Sequence, residues 1–186
     1  MDKRVEQRRN FRRFQDRRVT LMLSIHEILF YESDKIKQNQ SILEAIRQNF
    51  GTDRAAFLTI LDGNSMRVRV DSCVGDWSVM PGETVIEGPG IDKLVDIHQA
   101  SPGTLSLTNV RRPSVFSPES WDALWTRMPG LPAAALLSIE VRPESAKSKL
   151  LWLHQVGYSR EWSSRDRDMI EEVAALLAKA ADKECV

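Results

Sequence analysis

Two strand-like segments joined by a turn signal constrain the fold of this chain more than any other feature. The first, "RAAFLTIL" (Arg54–Leu61), is rich in apolar and branched residues, and the Asp62-Gly63 dipeptide that follows favours a tight hairpin turn. The second, "SMRVRVDSCV" (Ser65–Val74), alternates strictly. Alternation assigns one face to Met66, Val68, Val70 and Ser72 and the opposite face to Arg67, Arg69, Asp71 and Cys73. We therefore predict an antiparallel hairpin with one buried side.

Helices are predicted before this hairpin and at the end of the chain. Asp34 is an N-cap residue type, apolar residues follow it at helical spacing, and Gly51 suits the position after a helix. These signals predict a helix over 34–50. Near the C-terminus, Ser163-Ser164-Arg165-Asp166 forms a capping box before a segment with a broad apolar face. The chain is therefore expected to end in a helix.

The segment 1–32 predicts a basic, amphipathic N-terminal helix that precedes a domain over 33–186. Its apolar residues follow a heptad spacing, with Arg18 at one seam position: Phe11, Phe14, Leu21, Ile25 and Ile28. Such a stripe is typical of a dimerising stalk, in which Leu21, Ile25 and Ile28 would form the interface. It is equally typical of a helix that lies on its own domain, and the sequence leaves both interpretations open.

Charge and cysteine content narrow the class of protein. The chain has 26 basic and 26 acidic residues, so no nucleic-acid partner is expected, yet residues 1–18 carry eight basic and three acidic side chains, a net charge of +5. This basic segment is compatible with a solvated helix end or with contact to an anionic membrane. The two cysteines, Cys73 and Cys185, form no CxxC pair, and no signal-peptide or membrane-spanning segment is present. We expect a cytoplasmic protein without a metal site.

The remaining segments complete an α+β pattern. Residues 75–132 are rich in glycine and proline and contain two amphipathic stretches, 91–99 and 120–128, around an alternating strand at 104–110. Two further strands are predicted at 131–141 and 149–156. This order predicts an antiparallel sheet of five or six strands, with terminal helices on one face and loops and short helices on the other.

Residues 36–181 resemble a GAF domain, a small-molecule sensory module of signalling proteins with a PAS-related fold. The resemblance rests on "ILEAIRQNFGTDRAAFLTIL", "IDKLVDIHQASPGTLSLTNV", "LPAAALLSIEV" and above all "KLLWLHQVGYSREWSSRDRDMIEEVAALLA". It implies a ligand between the sheet and the loop-rich middle, and a homodimer that passes a signal through its terminal helices to an effector domain or partner. It does not identify the ligand or any cofactor.

Five residues are the candidates for lining such a site. Trp77, Trp121 and Trp125 offer flat rings for a planar ligand, although the same rings commonly fill a small core. Cys73 and His98 bring polar chemistry to the same region, although an inert thiol and a structural histidine are the commoner roles. Bilin-binding members need an attachment cysteine that is often followed by histidine, whereas Val74 follows Cys73 here.

Catalytic motifs are absent from the sequence. It contains no glycine-rich phosphate loop, no HExxH, no GxSxG and no kinase motif. We therefore expect a non-catalytic sensor that binds a small ligand. The alternative is a dimerisation or protein-interaction domain whose pocket is closed.

Overall fold

The computed structural model describes residues 3–62, 65–73, 85–87, 91–100, 103–109 and 133–184. The helices in these ranges are α1 (Lys3–Tyr31), α2 (Lys35–Phe50), α3 (Ile91–Ala100) and α4 (Ser164–Glu184). The strands are β1 (Arg54–Asp62), β2 (Ser65–Cys73), β3 (Val85–Glu87), β4 (Leu105–Leu107), β5 (Ala133–Val141) and β6 (Lys149–Val156). The expected helix over 120–128 lies outside the described residues.

All six strands form one antiparallel sheet in the order β3-β2-β1-β6-β5-β4. Apolar residues from α1, α2 and α4 form one continuous core with alternate residues of the central strands. A second apolar core on the opposite side joins the remaining strand residues to α3. We call these two sides of the sheet the α2 face and the α3 face. The predicted α+β architecture, with the first domain helix and the C-terminal helix on one face, is confirmed.

Local signals in the sequence account for the helix ends. The Asp34 carboxylate accepts hydrogen bonds from the backbone N–H groups of Ile36 and Lys37, at 3.0 and 3.3 Å. Gly51 ends α2 with φ 61° and ψ 43°, a left-handed conformation that costs glycine little. At the start of α4, Ser163 Oγ accepts from the Asp166 N–H at 3.1 Å and the Asp166 carboxylate accepts from the Ser163 N–H at 3.0 Å. The predicted capping box is present.

The hairpin of β1 and β2 is confirmed, but the predicted assignment of β2 to its two faces holds only as far as Val68 and is wrong for Ser72 and Cys73. Val68 pairs with Leu58 and Val70 pairs with Phe57, so Arg69 is an extra residue between two consecutive partners. This β-bulge shifts the alternation by one residue. Met66 and Val68 lie on the α3 face, whereas Ser72 faces α2, where its hydroxyl accepts a hydrogen bond from Arg47 Nε at 3.1 Å.

The second half of α1 is part of the domain core. Leu21 is 1% exposed and Ile25 0% exposed, and both pack in the core of the α2 face, with Ile28 partly buried beside them. Arg18 Nε donates to the Glu172 carboxylate of α4 at 2.6 Å. Because Leu21 and Ile25 are covered by their own chain, a partner has no access to them. The expected dimer seam at these residues is corrected to packing within the chain.

Two expected short elements differ from the structure in extent. The strand predicted over 104–110 spans only Leu105–Leu107, and β3 lies inside the segment that the sequence suggested to be loop. A three-residue strand is too short to show a period in the sequence. Among the described residues, no helix is both long enough and apolar enough to cross a membrane.

Candidate functional site

The α3 face carries buried polar groups among its apolar residues. Arg54 begins β1, and in the antiparallel pairing it lies opposite Cys73 of β2 on one side and opposite His154 of β6 on the other. Side chains that face one another across antiparallel strands share a face. Cys73, Arg54 and His154 therefore form a line across three strands, which we call the polar row. The β-bulge at Arg69 is what brings Cys73 to this side of the sheet.

Arg54 and His154 are buried inside the protein, each 1% exposed. Burial, followed by the positive charge of Arg54, lowers the pKa of His154 from 6.5 to about 3. The imidazole is therefore neutral at physiological pH, with one nitrogen that donates and one that accepts a hydrogen bond. The polar row therefore combines the buried cation of Arg54 with the neutral His154 ring, which can donate or accept a hydrogen bond.

Trp152 adds a second ring and a donor beside the polar row. It precedes His154 by two positions on β6, which places it on the same face, and the two ring centroids are 5.4 Å apart. The side chain is 1% exposed, and its indole Nε1 has no hydrogen-bond acceptor among the described residues. A buried indole N–H is usually paired, so this donor is available to a ligand acceptor on the α3 face.

A second polar group lies between α3 and β5. The Nε2 of His98 and the hydroxyl oxygen of Ser138 are 2.8 Å apart, and both residues are buried. Arg142 donates to the backbone carbonyl of His98 at 2.7 Å and forms an ion pair with Glu140. Burial lowers the pKa of His98 to about 4, so this imidazole is neutral as well. These contacts tie α3 to the sheet.

The structure places two of the sequence-predicted site residues on the same face of the sheet. Cys73, which is half-buried, belongs to the polar row, and His98 lies on α3 against the same face of the sheet. Trp77, Trp121 and Trp125 lie outside the described residues.

Sequence reasoning missed Arg54 and Trp152. An arginine at the first position of a strand usually indicates a solvent-exposed strand end, and a tryptophan in an apolar strand usually indicates a core residue. Only the pairing of β1 with both β2 and β6 shows that Arg54 is enclosed. No local signal marks Arg54 as buried, because an arginine directly before the apolar segment 55–61 is equally compatible with a solvated strand end.

The polar groups of the α3 face are mainly hydrogen-bond donors. Within the described ranges, no three His, Cys, Asp or Glu side chains are grouped so that they could hold a metal ion. The guanidinium of Arg54 and the indole N–H of Trp152 are donors, and neutral His154 can donate or accept. Such a set favours a ligand with acceptor atoms or negative charge.

No protein-family model matches the chain, and no curated protein matches it in sequence. Solved structures do resemble it. The phycoerythrobilin-bound GAF domain of a cyanobacterial phytochrome is 12% identical, with a TM-score of 0.74, over 91% of this chain and 96% of that chain. The GAF domain of a phosphoenolpyruvate-protein phosphotransferase from Coxiella burnetii is 11% identical, with a TM-score of 0.67, over 89% and 93%.

A third neighbour is the GAF domain of nlh2 from A. aeolicus in an inactive state. It is 13% identical, with a TM-score of 0.62, and the match covers 92% of this chain and 99% of that chain. At such identities the likeness concerns the backbone and not the site residues. The six-stranded antiparallel sheet, the helices α2 and α4 on one face and α3 on the other give this chain the fold of a GAF domain.

Proposed function

We propose that this domain is a non-catalytic sensor that binds a small ligand on the α3 face of its sheet. The observation that carries the proposal is the polar row beside the unpaired indole N–H of Trp152. Burying a guanidinium and an imidazole costs free energy, and apolar residues at these positions would pack at no such cost. Their burial beside the indole N–H of Trp152, a donor with no acceptor among the described residues, favours a site that a ligand completes.

The ligand that fits this chemistry is a small molecule with a carboxylate, a phosphate or several carbonyl groups. Arg54 provides positive charge, and Trp152 and His154 provide rings beside it. Two fold neighbours contain bound bilins, biliverdin IXa in one and phycoerythrobilin in the other, which supports a small-molecule ligand for this domain. The Cys73-Val74 sequence does not fit the cysteine–histidine attachment pattern, so we propose a ligand held without a covalent bond.

Signalling in this proposal requires two states that the ligand distinguishes. A ligand shifts a conformational equilibrium only by its difference in affinity for the two states. We propose that the domain acts as a homodimer in which the terminal helices carry the change to an effector domain or partner protein. The described chain supports this through α1 and α4, which share the core of the α2 face and the Arg18–Glu172 ion pair.

The alternative function is a dimerisation or protein-interaction domain without a ligand. One observation favours it: Arg54, Trp152 and His154 are each only 1% exposed, so the chain itself covers them. In this alternative the polar row is a structural element of a closed core. The two functions differ in whether any small molecule stabilises the folded protein.

The test is a thermal-unfolding screen with biliverdin, haem, cyclic nucleotides, amino acids and small organic acids, followed by titration of any hit. Arg54→Met is expected to weaken binding of an anionic hit at least about tenfold, because it removes the buried positive charge. Arg47→Met is the matched control, since Arg47 contacts Ser72 on the α2 face. No stabilising compound in the screen, or equal affinity in wild type and Arg54→Met, would overturn the proposed site.

A further inference from the structure

The outward face of α1 carries a second heptad stripe, distinct from the buried one that contains Leu21 and Ile25. Its members recur at spacings of four and three residues, and all six are exposed: Arg12, Asp16, Val19, Leu23, His26 and Phe30. Val19 is 53% exposed, Leu23 57% and Phe30 81%. We call this set the outer stripe. Alternating spacings of three and four are the signature of a helix that packs against another helix.

Nothing in the fold of a single chain requires these apolar residues to face outward. The opposite side of α1 already anchors the helix in the core through Leu21 and Ile25. Scattered exposed apolar residues are ordinary, but three of them in heptad register on one helix form a continuous surface. A groove of about 570 Å³ between α1 and α4 adjoins the stripe at His26 and Phe30 and adds Leu176 and Ala180 to the apolar area.

The charges of the outer stripe favour a second copy of α1 as its partner, and they favour antiparallel over parallel packing of the two helices. In a parallel pair, each stripe residue meets its own copy, which sets Arg12 against Arg12 and Asp16 against Asp16. Like charges directly opposed are destabilising. In an antiparallel pair centred at the level of Leu21, Val19 meets the partner's Leu23, Arg12 meets the partner's Phe30, and Asp16 meets the partner's His26. Apolar residues then pair with one another, the Arg12 guanidinium meets the Phe30 ring, and the Asp16 carboxylate meets an imidazole that can donate a hydrogen bond.

The residues that flank the outer stripe show the same complementarity. Arg13 and Glu27 occupy equivalent heptad positions on one side of the stripe, and both are exposed. In the antiparallel arrangement Arg13 faces the partner's Glu27, and the two-fold axis repeats this pair. A surface that complements itself under a two-fold rotation is what a symmetric dimer needs.

We infer that α1 binds α1 of a second copy of this chain in antiparallel orientation through the outer stripe. This inference rests on the homodimer of the proposed function, although it is independent of any ligand. It differs from the stalk suggested by the sequence in the residues that form the interface. The buried stripe holds α1 on its own domain, and the outer stripe joins two domains.

Sedimentation velocity tests the stripe and its charges. Leu23→Glu is expected to raise the dimer dissociation constant at least about a hundredfold, because it places a carboxylate in the apolar centre. Ile36→Glu is the matched control, since Ile36 is also exposed, at 71%, and lies outside the stripe. Arg13→Glu alone should weaken the dimer at least about threefold, and the double variant Arg13→Glu/Glu27→Arg should restore it. A monomeric wild type, or no effect of Leu23→Glu, would overturn the inference.

Disulfide trapping tests the direction of the helices. In a Cys73→Ser/Cys185→Ser background, Arg12→Cys should not cross-link to itself, because antiparallel α1 helices separate the two positions by roughly 27 Å along the axis. A mixture of Val19→Cys and Leu23→Cys chains should form the mixed disulfide. Self-cross-linking of Arg12→Cys in a stable dimer would retain the homodimer but overturn the antiparallel arrangement. Ligand binding in the thermal screen is unaffected by either result, so the two proposals fail separately.

Discussion

The two buried histidines make the stability of this domain dependent on pH. The folded pKa is about 4 for His98 and about 3 for His154, and both lie below the ordinary value of 6.5. Below pH 6.5 these two imidazoles become protonated in the unfolded chain but stay neutral in the folded chain. The stability that the neutral rings provide is therefore complete above pH 6.5 and is lost as the pH falls towards the folded pKa values.

We expect the free energy of unfolding to fall by about 1 kcal/mol per pH unit for each buried histidine between pH 6 and pH 4.5. Urea titrations at several pH values measure this slope. His154→Gln should reduce the slope by one such contribution, whatever its effect on stability at pH 7. An identical slope in wild type and His154→Gln would contradict the assigned burial.

Single residues of the site were the hardest part to predict from the sequence. Nothing in the pattern around Arg54 distinguishes a buried arginine from a solvated one, because burial depends on the two strands that flank β1. His98 was identifiable as a polar residue on an apolar helix, but its partner Ser138 is 40 positions away along the chain. Polar contacts of this range are set by the tertiary fold and not by local sequence.

At the scale of elements, the end of α2 depends on one backbone conformation. Gly51 has φ 61°, and nothing lies within 4 Å of the position where a Cβ would be added. The cost of a side chain there is therefore conformational and not steric. The Thr52 N–H donates to the Arg47 carbonyl at 3.1 Å, and the Gly51 N–H donates to the Gln48 carbonyl at 3.2 Å, so the same conformation also satisfies the helix end.

Gly51→Ala is expected to lower the free energy of unfolding by about 1 kcal/mol, the cost of a left-handed conformation for a residue with a Cβ. Gly51→Asn should cost less, because asparagine tolerates this conformation. Guanidinium titrations of the two variants beside wild type provide the comparison. Equal stability of wild type and Gly51→Ala would show that the chain does not need this backbone conformation.

The positions of the helices and strands were largely predictable from the sequence. The assignment of side chains to the two faces of β2 was not. Caps and periodicity are local, so α2, α4 and the β1–β2 hairpin were predictable. The bulge at Arg69 was not, because its alternating segment contains no glycine or proline to mark the extra residue. The shift appears only when Val68 and Val70 are paired with β1. It moved Cys73 to the face of the polar row.

At the scale of the whole molecule, α1 is an integral part of the domain. Its Leu21 and Ile25 lie in the core shared by α2, α4 and the sheet. The sequence could not decide between a free stalk and a packed helix, because a heptad stripe describes the helix surface and not what covers it. In the structure, the second half of α1 packs on its own domain.

Ile25→Ala should therefore lower the free energy of unfolding by about 2–5 kcal/mol, the range for a large-to-small change in a core. Leu23→Ala, two residues away on the exposed side, should change the stability of the dilute monomer by no more than about 0.5 kcal/mol. Thermal and chemical unfolding at low protein concentration separate this effect from dimerisation. Equal losses in the two variants would contradict the packing of α1 on its own domain.

The continuity of α1 has a mechanical consequence. The helix runs unbroken through 29 residues, but its fully buried residues, Leu21 and Ile25, lie in its second half. At a rise of 1.5 Å per residue, Lys3 stands about 27 Å from the level of Leu21. A tilt of about 5° in the core would thus swing the basic tip by about 2 Å. A small rotation of α1 about its buried residues would therefore move the basic N-terminal end of the helix much further than it moves the side chains in the core.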